Sequence, residues 1–146
     1  MFVDPVVTLV DLERAPADGR QVLNEDLRLA SVGISLMVFR PGQRWRIHTH
    51  RDQEEVYVVL AGELTLLVEE PDGRIQEIAI GVDQVARVPP KVRRQIINPG
   101  PGIARFLAVG ARGIHERGDA AAWHSWEDPG DGLAPQDVPL PSDLPV

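Results

Sequence analysis

The 146-residue sequence contains no cysteine. That absence excludes disulfide scaffolds, thiolate nucleophiles and cysteine-ligated zinc or iron–sulfur centres. Lysine is nearly missing too: Lys91 stands alone, and every other basic residue is an arginine. Acids outnumber bases 22 to 15, for a net charge of −7. A nucleic acid or an anionic membrane surface has to be met by a basic face, so neither is an expected partner. No apolar run approaches the roughly 18 residues of a membrane span. The opening Met1-Phe2-Val3-Asp4-Pro5 lacks the basic and apolar regions of a signal peptide. A soluble, cytoplasmic protein is the expectation. The length is that of one ordinary domain, large enough to bury a core without a disulfide or metal staple.

Helical periodicity is weak. Instead, 13 glycines and 13 prolines punctuate short β-branched runs, the pattern of an all-β sandwich or barrel. Strands are predicted over 29–39, 45–50, 55–60, 63–69, 74–80, 85–88, 94–98 and 104–109. Asp72-Gly73 between two alternating runs marks a hairpin turn. Before residue 28, Val6 to Leu12 could form an edge strand and Asp18-Gly19-Arg20 a turn. Ala120-Ala121-Ala122-Trp123 reads as a short helical or strapped segment. Past Glu127, Pro129, Pro135, Pro139, Pro141 and Pro145 alternate with acids and few large apolar residues. Such a composition cannot build its own core and predicts an extended or disordered tail.

The chemistry concentrates between Gly42 and Gly62. His48 and His50 are two apart on a predicted strand, so both imidazoles leave the same face. Glu55 begins the next strand and shares its face with Tyr57 and Val59. Two ring nitrogens and one carboxylate around a point form the 2-His-1-carboxylate arrangement that suits a divalent transition metal. At this level iron, manganese, nickel, zinc and copper are all compatible with the set.

This stretch resembles the first motif of the cupin superfamily: a glycine, five residues, His-x-His, three or four residues, Glu, six residues and a glycine. Gly42, His48, His50, Glu55 and Gly62 fill every position. The second motif, glycine, five residues, Pro-x-Gly, two residues, His, three residues, Asn, is matched in frame from Asp83 to Asn98 but not in residues. Pro89 and Asn98 keep their separation. Asp83 stands at the first glycine, Lys91 at the second, and Arg94 where the family places a fourth ligand, histidine. The resemblance implies a small jelly-roll β-barrel (a double-stranded β-helix) with its site in the barrel mouth, commonly as a homodimer. It implies a barrel over 29–110, preceded by an N-terminal arm over 1–28 and followed by a strap over 111–127 and an acidic, proline-rich tail over 128–146. Related cupins carry out dioxygenations, isomerisations, decarboxylations and lyase reactions, so the fold does not select the chemistry.

Two classes of function follow. In the first, His48, His50 and Glu55 hold a divalent metal, and Arg94 forks onto an anionic small-molecule substrate. In the second, a metal-free binding or sensing protein, or a structural dimer, has Arg94 paired with Glu55. A third place for Arg94 is the solvent-exposed rim. A guanidinium cannot be a metal ligand. Tyr57 is a candidate acid–base group or a packed tyrosine with a hydrogen-bonded tip. Trp45 is expected to pack at a barrel end. Gln53 and Glu54 are expected in a loop or on the outer surface, and His115 and His124 at the surface. Arg44, Arg46, Arg51, Arg87 and Arg93 read as solvated.

Overall fold

In the computed structural model, residues 6–111 and 118–145 are described. Among the described residues there are ten strands: β1 (Arg20–Val22), β2 (Val32–Phe39), β3 (Ile47–His50), β4 (Glu55–Ala61), β5 (Leu64–Glu69), β6 (Ile75–Ile80), β7 (Val85–Val88), β8 (Arg94–Ile97), β9 (Ala104–Ala111) and β10 (Ala120–Trp123). One 3-10 turn covers Pro135–Asp137. The strands form two five-stranded antiparallel sheets, in the orders β1-β2-β9-β4-β7 and β10-β3-β8-β5-β6. This is the all-β architecture that the spacing of the turns implied, arranged as the jelly roll that the motif resemblance implied.

The eight predicted strands stand close to their expected places, because each carries alternating or continuous β-branched residues between turn formers. The ends of the chain differ. Val6 to Leu12 is not a strand; the first strand is β1, which begins in the segment read as a turn. Ala120–Trp123 pairs antiparallel with β3 along its whole length, from Ala120 with His50 to Trp123 with Ile47. Its alanines carry no strand propensity, and the exposed edge of β3 supplies the ladder that makes it one. His115 falls outside the described residues, whereas His124 is exposed as expected.

The core lies between the sheets. Phe39, Tyr57, Leu64, Leu66, Ile80, Val88, Ile96 and Phe106 are buried together there. Phe106 meets Phe39 and Tyr57 edge to face at 5.1 and 6.1 Å, and Trp45 stacks on Phe39 at 5.7 Å, the offset geometries that aromatic quadrupoles favour. The tail runs over this barrel in extended form. The backbone N–H of Leu144 donates to Gly42 O at 2.7 Å, Arg44 Nε donates to Ser142 O at 2.8 Å, and Val138 is 2% exposed.

The backbone explains how a degenerate second motif keeps its frame. Gly42 and Gly62 of the first motif have φ of 81° and 75°. A side chain at Gly62 would bring its Cβ to 2.6 Å from Ile103 O, so only glycine fits. Asp83 and Lys91, standing where the second motif has glycines, both adopt φ of 69°. The turn geometry persists without the residue that tolerates it best. Lys91 N–H closes the arrangement by donating to His50 O at 2.7 Å. Asn98 keeps a structural role: its amide donates to Phe39 O, Arg40 O and Gly102 O, and its oxygen accepts from Gly100 N–H.

Candidate metal centre

The strand pattern brings the sequence-predicted residues together from opposite sheets. β3 presents His48 and His50, with burial on every residue of the strand. β4 alternates buried and half-buried positions, with Glu55, Tyr57 and Val59 inward. β8 is antiparallel to β3 with Arg94 directly opposite His48. One nitrogen from each histidine and one carboxylate oxygen of Glu55 lie within 4.8 Å of one another. His50 Nε2 is 3.4 Å from Glu55 Oε2, and His48 Nε2 is 3.7 Å from Oε1.

Both imidazoles are oriented from behind. His48 Nδ1 lies 2.9 Å from Arg46 O, a carbonyl that can only accept, so this nitrogen carries the proton. His50 Nδ1 lies 3.3 Å from Asp119 Oδ2 and 3.0 Å from the side-chain amide of Gln53. The Asp119 carboxylate likewise accepts, and its second oxygen is fixed by the Asp52 N–H at 2.8 Å. Both rings therefore turn Nε2 to the side of Glu55, and for His48 the Arg46 carbonyl leaves the Nε2 lone pair there, the arrangement in which a backbone carbonyl sets the tautomer of a ligating histidine.

The charges follow the same logic. Burial pushes His48 below its usual range, Arg94 adds to this and Glu55 opposes it, so the ring is neutral at neutral pH. Burial works against the charge of Glu55, but the imidazoles of His48 and His50 beside it and the charge of Arg94 outweigh it and hold the carboxyl well below its ordinary value. Two imidazole nitrogens and one anionic oxygen are what a borderline divalent ion takes. The residues present fit such an ion through three ligands.

Arg94 is fully buried. Its Nη2 donates to Glu55 Oε1 at 3.2 Å, and Nη1 to Val92 O at 2.9 Å. It is thus neither at the rim nor in the wall of the cavity, and its charge is committed to one oxygen of Glu55. Tyr57 donates its hydroxyl to that same oxygen. Burial, reinforced by the adjacent carboxylate, pushes the phenol well above its ordinary range, so it remains protonated.

The centre opens into a cavity of about 390 Å³. His48, His50, Glu55 and Tyr57 line it beside Trp45, Ile96 and Phe106, and Arg20, Asn24 and Arg46 complete the polar wall. Several of these escape sequence reasoning. Arg46, read as solvated, faces the cavity; Gln53, read as a loop or surface residue, does lie in the loop before β4 but is 2% exposed behind His50. Asp119 and Arg20 sit far outside the motif, and no spacing rule connects them to it. The alternation that made Glu55 and Tyr57 legible has no counterpart for residues delivered by edge strands.

A family model described as a cupin domain matches residues 35–110. Among solved structures, a protein assigned as a candidate sugar phosphate isomerase from Acidithiobacillus ferrooxidans is similar at a TM-score of 0.56 and 26% identity, over 64% of this chain and 58% of that one. A cupin protein from Bacteroides fragilis gives 0.62 at 19% identity, over 88% of this chain and 99% of that one. An oxalate decarboxylase from Bacillus subtilis gives 0.61 at 19%, over 73% of this chain and 28% of that one. The chain thus spans little more than half the Acidithiobacillus protein and about a quarter of the decarboxylase. No curated protein matches.

Proposed function

The chain belongs to the cupin family, and on that premise we propose that it holds a divalent first-row metal on His48, His50 and Glu55 and binds or transforms a small organic anion in the adjoining cavity. The observation that carries this is the orientation of both histidines: their Nδ1 atoms are occupied by Arg46 O and Asp119, which turns both Nε2 atoms to one carboxylate. A packed, purely structural pair of histidines has no need of that convergence. A metal bound there supplies a Lewis acid or an oxygen-activating centre. Arg94 and Tyr57 occupy Oε1 of Glu55, which reserves Oε2 for the ligand role beside His50. Tyr57, held protonated by burial, is a proton donor rather than a base at neutral pH. The anionic class of ligand draws support from relatives assigned to a sugar phosphate and to oxalate. A cytoplasmic setting and a homodimer belong to the same reading, the latter checked by light scattering at micromolar concentration.

The test is the metal content of protein purified without added metal and after reconstitution. Near-stoichiometric first-row metal, lost in His50→Ala with the β circular dichroism retained, is the expected result. Trace metal after reconstitution would sink the reading. One observation favours a second reading, a metal-free binding protein: the buried Arg94–Glu55 pair already compensates the carboxylate. Under it, chelation changes neither ligand binding nor melting temperature.

A further inference from the structure

We infer that the cavity takes a two-ended organic anion, its phosphate or carboxylate terminus gripped by Arg20 and Arg46 and its other end at His48, His50 and Glu55. The second half rests on the metal-centred reading above; the first rests on the cavity wall alone. Arg20 comes from β1 in one sheet, opposite Met37 of β2. Arg46 immediately precedes β3 in the other sheet. The two arginines therefore line the same cavity from different sheets.

Among the described residues, neither arginine has a carboxylate partner. This sets them apart from Arg40, Arg74, Arg87, Arg93 and Arg94, which are paired with Asp143, Asp72, Glu54, Glu69 and Glu55. Neutral groups hold the pair in place instead. Arg20 Nε and Nη2 lie 3.4 Å from Ser35 Oγ. Arg46 Nε donates to Val138 O, and its guanidinium lies 5.4 Å from the centre of the Trp45 ring. Asn24 adds a third donor. Its oxygen accepts from the Ile34 N–H at 2.8 Å, so what it has left to offer the cavity is its NH₂.

Charge decides the ligand. The chain as a whole is at −7, yet among the described residues the one carboxylate in this wall, Glu55, is already neutralised by Arg94. Two positioned guanidinium groups and an amide donor, with no acid left among the described residues to answer them, select a tetrahedral or planar oxyanion through forked hydrogen bonds. Partial burial of Arg46 reinforces this, because a desolvated cation gains more from an anion than a solvated one does. The role foreseen for Arg94 from its place in the motif falls on these two arginines.

Inorganic phosphate and succinate serve as probes, titrated calorimetrically into chelator-treated and metal-loaded protein. The wild type should bind at least one of them without metal. Arg20→Gln/Arg46→Gln should weaken that binding about tenfold or more, since hydrogen bonds to charged groups are lost at two sites, while its metal content matches the wild type. Preference for phosphate assigns a phosphorylated ligand, preference for succinate a carboxylic acid. If the double variant is poorly folded, Arg20→Gln alone, an exposed side chain, should still show a loss of about threefold. Wild-type affinity in both variants, or no binding of either probe by the metal-free wild type at millimolar concentration, overturns the clamp. The two readings separate cleanly: a protein that binds phosphate through these arginines but never metal refutes the metal centre, and one that holds metal but is indifferent to both substitutions refutes the clamp.

Discussion

At the scale of single residues, Arg94 is the departure with the largest energetic consequence. It is a fully buried cation whose compensation is Glu55. Arg94→Ala should strand that carboxylate and cost about 3–5 kcal/mol in metal-free protein, as breaking a buried pair does; urea denaturation measures it. Arg94→His should instead restore a fourth ligand and raise metal affinity, read by competition with a chelator. Lys91 offers a gain. Its left-handed conformation costs a side chain about 1–2 kcal/mol, part of which glycine returns as entropy. Lys91→Gly should therefore stabilise the fold by about 0.5–1 kcal/mol, seen as a higher denaturation midpoint. His48 sets a pH dependence. Its folded pKa lies below the unfolded one, so the unfolded chain takes up a proton first as pH falls through roughly 6.5. Metal-free protein should lose stability from pH 7.5 to 5.5, and His48→Asn should lose less over the same interval. Equal slopes in the two proteins would show that His48 is not the group responsible.

At the scale of elements, the edges of the two sheets decide what the motif strands can do. β10 lies against β3, and Asp119, immediately before it, reaches His50. Beyond β10, Leu133 bridges back to Ala122, and the tail then passes Arg46 and Arg44 on its way to Gly42. The tail's composition predicts indifference to truncation, but the burial of Val138 changes that expectation. Removing residues 134–146 should forfeit about 1.5–3 kcal/mol for that side chain, a fall of roughly 4–10 °C in melting temperature for a chain of this size. A scanning-calorimetry trace shifted by under a degree would show that the docking contributes nothing to stability. β1 works similarly at the other edge, since three residues pairing with β2 are enough to carry Arg20 to the cavity.

At the scale of the whole molecule, the site is an interface between two sheets, so ligand binding and folding are coupled. Metal at about 100 times its dissociation constant should add about 2.7 kcal/mol, raising the melting temperature by roughly 5–10 °C. His50→Ala should abolish that increment, and a differential scan with and without added metal reads both. The sequence by itself determined an all-β sandwich or barrel, the eight central strands and the triad, because each depends on local period: a two-residue spacing puts His48 and His50 on one face, and alternation from Glu55 puts Tyr57 beside it; the jelly roll came from the motif resemblance. It also showed that Arg94 stands in the fourth-ligand position, but left three places for its charge. The tertiary structure decided among them by setting Arg94 opposite His48 and within reach of Glu55. It alone also brought Asp119 and Arg20 to the centre, since strand pairing at sheet edges joins residues whose distance along the chain carries no periodic signal, whereas Arg46, two before His48, shares the period that placed the histidines.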